Sequence, residues 1–369
     1  MPGMEMAMQS RLGQALKYGQ SFWYDGLIGA AEFDRLIRED GVRGATTNPA
    51  IFEKALNSSA YDADIRRLAA SGHDAEEIYR QLAVRTVAEV ADLFSGVHRD
   101  SSGADGYVSI EVSPRLAYDT AGTVREALDL WGRLARPNVM IKVPATREGL
   151  PAVAELIARG IHVNVTLIFS VERYRQVMDA YLSGLERRAA TGASPAGISS
   201  VASFFVSRVD SSVDALLEKR YPSGDAVRSE LEGRLAIANC KAAYREFRQA
   251  FTSERFRVLE RAGARVQRPL WASTGTKNPK YSDVLYVETL IGPDTVNTMP
   301  PATMDAFRDH GTAADTLQQG TEAALAALET ARRSGIDLDA ITADLEGQGV
   351  KLFVDAYDKI ISSIGAKIR

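Results

Sequence analysis

Eight short apolar runs, rich in β-branched and aromatic side chains, recur along the chain with stretches of helical periodicity between them. They occupy residues 22–25, 42–48, 107–112, 138–144, 162–169, 198–205, 268–273 and 296–300. Strands that each feed a helix point to repeated βα units rather than to separate β and helical domains. Eight units are what a closed barrel needs, whereas an open doubly wound sheet more often stops at about five to seven strands. The pattern therefore predicts an α/β fold, a (β/α)8 TIM barrel.

Between the fourth and fifth runs, residues 148–159 set Leu150, Val153, Ala154 and Ile157 on one stripe, and Gly160 closes the helix. After the third run, Ser113 and Pro114 read as a capping residue followed by proline at the first helical position. Two connections, 49–106 and 206–267, are too long for one helix, and the second holds an amphipathic stretch near 230–262. The residues after the last strand are largely helical in pattern, with Leu352, Val354, Tyr357, Ile360 and Ile361 at apolar spacing. Added helices thus account for a length of 369 residues that would otherwise admit two or three domains. The expected organisation is one barrel domain over 1–369, with an N-terminal extension and a helical C-terminal tail.

Composition narrows the functional classes. Hydrophobic residues at 45%, charged residues at 25% and 13 prolines belong to a folded soluble chain and exclude a disordered, collagen-like or disulfide-stapled one. Forty-four basic against 48 acidic side chains, a net charge of -4, leave no basic field for nucleic acid or an anionic membrane. The single cysteine, Cys240, sits in a helical context and reads as a buried, inert thiol. The first residues show no basic region followed by an apolar run, and no stretch of 18 apolar residues occurs, so the expected compartment is the cytoplasm.

Candidate chemistry begins with Lys142, one of only ten lysines, in the middle of the fourth run. Alternation puts Val139, Ile141 and Val143 toward the helices and Lys142 into the barrel. A free lysine is an unprotonated amine only about once in 2,500 at pH 7, and apolar burial raises that fraction, making the amine a nucleophile toward a carbonyl. The alternative is a structural lysine paired with a carboxylate. Glu111 shares a face with Ser109, Asn164 shares one with Thr166 while Val163, Val165 and Leu167 take the other, and Asp25 and Asn48 end the first two runs. Barrel strands carry their active site at the C-terminal ends, so these groups would converge on one mouth. Singly, Asp25 could be a helix cap, Asn48-Pro49 a turn and Thr166 an ordinary strand residue. Together they are costly to bury unless used or mutually satisfied. Arg208 after the sixth run, and Ser273 and Lys277 after the seventh, could clamp a phosphate or simply lie in solvated loops.

Other chemistries lack their signatures. His73, His98, His162 and His310 have no paired metal-ligand spacing, and there is no dinucleotide fingerprint, phosphate-binding loop of an NTPase or serine elbow.

The segments GATTNPAIF, VSIEVSPRLAYD, VMIKVPAT, HVNVTLIFS, SFFVSRVD and WASTGTKNP, in this order, together resemble the transaldolases, from about Tyr24 to Pro300. The length resembles the longer bacterial branch. The resemblance implies cofactor-free, metal-free dihydroxyacetone transfer between sugar phosphates in the pentose phosphate pathway, by a monomer or homodimer. It makes Lys142 the Schiff-base lysine and Asp25 the acid/base of bond cleavage. Glu111 and Thr166 would handle a catalytic water, Asn48 and Asn164 would bind hydroxyls, and Thr46 and Ser203 would line the pocket. Arg208 would bind phosphate. Many members carry a second phosphate-binding arginine where this chain has Gly275, so Lys277 is the expected substitute. The related fructose 6-phosphate aldolases typically have glutamine and tyrosine where Glu111 and Phe205 stand, which favours transfer over cleavage here. A catalytically silent sugar-phosphate-binding barrel is the remaining alternative.

Overall fold

The computed structural model describes residues 10–368; the expected N-terminal extension and the reading of its first residues lie largely outside them. Eight parallel strands close in sequence order: β1 Gln20–Asp25, β2 Ala45–Thr46, β3 Val108–Glu111, β4 Val139–Pro144, β5 Val163–Ile168, β6 Ser200–Phe205, β7 Arg268–Ala272 and β8 Thr295–Met299. β1 pairs with β8 to close the ring, Gln20 lying opposite Thr295. Sequential neighbours in a parallel ring are the outcome of repeated right-handed βαβ crossovers. The outward residues, such as Val139, Ile141 and Val143, are fully buried under the helices.

Register decides what meets inside. Asp25 lies opposite Thr46, and Thr46 opposite Ser109. Glu111 lies opposite Lys142, Lys142 opposite Asn164, and Pro144 opposite Thr166. Because alternate residues face inward, the upper layer of the barrel becomes polar from five consecutive strands.

Several local expectations change. The second run is strand only at Ala45–Thr46, because Asn48 already caps the helix Pro49–Leu56: its Oδ1 accepts the Ile51 N–H at 3.0 Å, with Pro49 in the first turn. Ser113-Pro114 opens a single 3-10 turn, Pro114–Leu116, and the α-helix that follows, Thr120–Leu134, is capped by Asp119. In helix Gly149–Ala158 the buried stripe is Ala152, Val153, Leu156 and Ile157, while Leu150 and Ala154 are half-buried, since the helix is rolled toward its two neighbours. The stretch near 230–262 is three helices, Ala226–Leu231, Leu235–Phe251 and Glu254–Arg261, broken where Gly233 adopts a left-handed conformation and Ser253 starts a new cap. Cys240 is buried in the second of these, and burial pushes its thiol far above the usual range.

At the lower, N-terminal end the interior is sealed by the loop before β3. Asp105 from this loop accepts from Ser21 Oγ at 2.6 Å and Trp23 Nε1 at 3.2 Å, and pairs with Arg268 at 2.8 Å. Tyr107 packs on Trp23, His98 and His162 around it.

The C-terminal helix, Leu338–Lys367, crosses the upper end. Its buried face is Leu345, Gly349, Val350, Phe353, Ala356, Tyr357, Ile360 and Ile364. Leu352, expected on that face, is 50% exposed. Tyr357 and Ile360 are buried as expected, Val354 and Ile361 are half-buried, and Phe353, one turn before Tyr357, takes the inward place instead of Leu352.

Candidate active site

Lys142 leaves the middle of β4 toward the mouth, with its side chain 6% exposed. Its Nζ donates to the Thr47 carbonyl at 3.1 Å, lies 3.7 Å from Glu111 Oε2, and stands 5.7 Å from the centre of the Phe353 ring. A purely structural ion pair would be closed by hydrogen bonds, because an open buried pair costs stability. Here Glu111 Oε2 is buried and has no hydrogen-bond partner. Thr166 Oγ1, also at the top of the interior, is in the same condition. These oxygens therefore retain their capacity to exchange protons or hydrogen bonds with something placed beside the amine. Burial pushes the Glu111 carboxyl up to about 7, against the opposing pull of Lys142. A carboxyl in that range can both give and take a proton near neutrality.

Two short hydroxyl chains organise the rest. Thr46 Oγ1 lies 2.7 Å from Asp25 Oδ1 and 2.6 Å from Thr298 Oγ1. Since Thr46 has one hydroxyl proton, donation to Asp25 makes Thr298 the donor to Thr46. The cap reading of Asp25 is not realised: helix Ala30–Glu39 starts after Gly29. Burial raises the Asp25 carboxyl above its ordinary range, while Lys142, the Thr46 hydrogen bond and Lys277 pull it down. In the second chain, Ser203 Oγ donates to Asn164 Oδ1 at 2.6 Å, and Asn164 Nδ2 donates to Ser109 Oγ at 3.0 Å. Asn164 is thereby held in one amide orientation. Asn48 is held by its cap, half-buried at the rim.

Two cations follow the ends of β6 and β7. Arg208, in the first turn of helix Ser207–Arg220, is half-buried, stacks 5.9 Å from the Phe205 ring centre, and pairs with no carboxylate among the described residues. Burial lowers its affinity for a proton. Beside it, Ser207 Oγ and Ser273 Oγ are 3.0 Å apart, with Ser273 in a left-handed backbone conformation, φ 57°. Lys277 is exposed, yet close enough to influence Asp25. A Cβ placed on Gly275 would lie 3.8 Å from Lys277 Nζ. The nearest atom to such a Cβ is Thr303 Oγ1, at 2.9 Å, so there is little room for a side chain at 275 beside the Lys277 ammonium.

All eleven sequence-predicted residues come together at this end of the barrel or on its rim. Three participants were not predicted from sequence. Phe353 comes from the far end of the chain, Thr298 reads as an ordinary strand residue, and the Thr47 carbonyl carries no side-chain signal. Among the described residues no group of three or more His, Cys, Asp or Glu side chains is placed to hold a metal. No helix among them is long and apolar enough to cross a membrane.

Residues 22–364 match the family described as Transaldolase/Fructose-6-phosphate aldolase. Similar curated proteins include the transaldolase of Saccharopolyspora erythraea, 47% identical over 97% of this chain and 98% of that one. Transaldolase 1 of Streptomyces coelicolor is 48% identical over 94% and 92% of the two chains. The transaldolase of Mycobacterium tuberculosis strain H37Rv is 46% identical over 95% of each. With a family match across nearly its whole length and relatives covered end to end, the chain belongs to the transaldolase/fructose-6-phosphate aldolase family.

Proposed function

We propose that the protein is a transaldolase, moving a dihydroxyacetone unit from sedoheptulose 7-phosphate to glyceraldehyde 3-phosphate to give erythrose 4-phosphate and fructose 6-phosphate. The observation that carries this reading is the buried Lys142 amine beside a carboxyl whose Oε2 has no hydrogen-bond partner among the described residues. Lys142 Nζ adds to the ketone carbon of the donor. Glu111, with a carboxyl near neutrality and aided by the Thr166 hydroxyl, moves the protons that turn the carbinolamine into an iminium and release water. Asp25 then takes the proton of the C4 hydroxyl as the C3–C4 bond breaks, and Thr46 steadies it through their hydrogen bond. The bonding electrons pass to the iminium, leaving an enamine on Lys142 while the aldose phosphate departs. Asn48 and Asn164 bind the hydroxyls of the retained unit, Asn164 being pre-oriented by Ser109 and Ser203. An incoming aldose phosphate reverses the sequence.

Arg208 and Lys277, with Ser273 between them, bind the phosphate. Support comes from the absence of a carboxylate partner for Arg208 and from the position of Lys277 beside Gly275. Glu111 and Phe205 favour transfer over simple cleavage. Borohydride reduction with fructose 6-phosphate tests the scheme. The expected result is a stable dihydroxyacetone adduct on Lys142 in a peptide mass map, and an unmodified Lys142 would refute it. Sustained glyceraldehyde 3-phosphate release without any acceptor would instead indicate an aldolase.

A further inference from the structure

We propose that Phe353, on the C-terminal helix, determines reaction specificity: by covering the amine of Lys142 it shields the bound three-carbon unit from water and so favours transfer over release. The proposal rests on Lys142 being the Schiff-base lysine. It concerns a choice that every such intermediate faces. After cleavage, the enamine carbon can attack the acceptor aldehyde, forming a C–C bond while the aldehyde oxygen takes a proton from Asp25; the iminium so formed then takes up one water at its carbon, Glu111 moving the protons, and releases the ketose phosphate and the amine. Alternatively the same carbon takes a proton from water. The resulting iminium then adds water at its carbon and expels Nζ, freeing dihydroxyacetone and the amine.

The geometry favours the first course. The Phe353 ring centre is 5.7 Å from Lys142 Nζ, and Phe353 is 8% exposed. A ring face at this distance attracts a cationic nitrogen and occupies space that water would otherwise take. The helix is seated rather than loosely laid. A Cβ on Gly349 would come within 2.9 Å of Leu167 Cδ2, so glycine allows the helix to settle on β5. Leu167 was expected to face outward with Val163 and Val165. Instead it takes a left-handed conformation, φ 61°, at a break in the register with β6, and reaches the C-terminal helix.

The seat is also pinned on both sides of the mouth. Arg173 binds Glu346 at 3.1 Å, before Phe353 in the helix. Beyond it, Arg115 binds Asp358 at 2.8 Å and Lys367 binds Asp62 at 2.8 Å. Tyr357, one turn from Phe353, packs edge-on against Tyr79 at 5.4 Å. The helix also packs on Ser207–Arg220, where Arg208 is half-buried, while Lys277 stays exposed. A phosphorylated substrate can therefore reach the mouth past Lys277 while the amine stays under the ring.

The test compares the parent with Phe353→Leu, incubated with fructose 6-phosphate. Two rates are read: free dihydroxyacetone formation without acceptor, and transfer to erythrose 4-phosphate. The release-to-transfer ratio should rise roughly two- to thirty-fold, the range spanned by a cation–π contact. Phe353→Met, which keeps an apolar side chain but removes the ring face, should move the ratio the same way, and it decides the matter if Phe353→Leu does not fold. Borohydride labelling of Lys142 in every sample separates the two levels of argument. Labelled Lys142 with an unchanged ratio overturns the role of Phe353 alone, whereas no label in the parent removes the Schiff-base reading beneath it.

Discussion

The two ends of this barrel bury the same kind of pair, a carboxylate beside a cation, and finish it differently. At the lower end Asp105 receives Ser21, Trp23 and Arg268, the pair closing at 2.8 Å. At the mouth Glu111 stands 3.7 Å from Lys142, with one oxygen accepting nothing. Unpartnered atoms occur at the lower end too: the amide oxygens of Gln20 and Gln267, and Nε of the half-buried Arg43 just before β2. A closed network uses its polarity to specify structure, whereas an open one keeps a buried charge at a cost in stability and leaves it available for chemistry. Polarity inside the barrel is thus uninformative by itself. What separates the seal from the candidate site is the carboxylate: Asp105 has its donors in place, whereas Glu111 Oε2 has none among the described residues.

This contrast can be broken by experiment. The largest effect should come from Lys142→Met, which is expected to lower turnover by roughly four orders of magnitude or more and abolish borohydride labelling. Thermal melting should show the fold intact. Asp105→Ala should do the converse, leaving the buried Trp23 donor unpaired and the half-buried Arg268 without its carboxylate, and costing about 2–4 kcal/mol in urea unfolding. Its kcat/KM per folded molecule should be unchanged; a catalytic defect would merge the two ends.

The pH dependence of stability should have opposite signs at the two ends. His162, at the seal, has its pKa lowered to about 4 by burial, with Nδ1 accepting the Ser199 N–H at 3.1 Å. The unfolded chain binds the proton first, so stability should fall on acidification from about 6.5 to 4, by about 3 kcal/mol. Glu111 behaves oppositely. Its native carboxyl holds a proton up to about 7 while the unfolded one loses it near 4.5. Stability should therefore fall by a similar amount, about 3 kcal/mol, as pH rises through that window. Urea midpoints across pH should show the acid slope reduced in His162→Gln and the neutral slope reduced in Glu111→Gln. Slopes unaltered by either substitution would remove the assignments. The smallest effect is expected at the rim: Arg208→Met should raise KM for fructose 6-phosphate about ten-fold with little change in kcat, the size of one charge-assisted hydrogen bond. If Lys277→Met has the greater effect on KM, the principal phosphate contact belongs to the lysine.

The barrel was legible because strand and helix periodicities are local, and all eight runs became strands. The site was legible where a polar residue interrupts a strand, as at Glu111, Lys142, Asn164 and Thr166. What resisted reading was of two kinds. Local competition moved boundaries: Asn48 satisfies a helix amide rather than extending β2, and Pro114 opens a 3-10 turn because the stronger cap, Asp119, follows. Long-range docking supplied the remainder. The spacing of Phe353 with Tyr357, Ile360 and Ile364 places it on the buried face in place of Leu352, but nothing in it says that this face lies over Lys142.

The amino-acid sequence by itself therefore determined the number and order of the βα units and the chemical inventory of the mouth. Both depend on intervals of a few residues that the backbone periods translate directly into faces. Only the tertiary structure decided which polar groups found partners, that Arg208 has no carboxylate beside it among the described residues, and which aromatic ring covered the amine. Those outcomes depend on the register of the closed ring and on a distant helix settling over it. Neither is encoded in any single interval, because a partner's position in space is set by all the packing between the two residues.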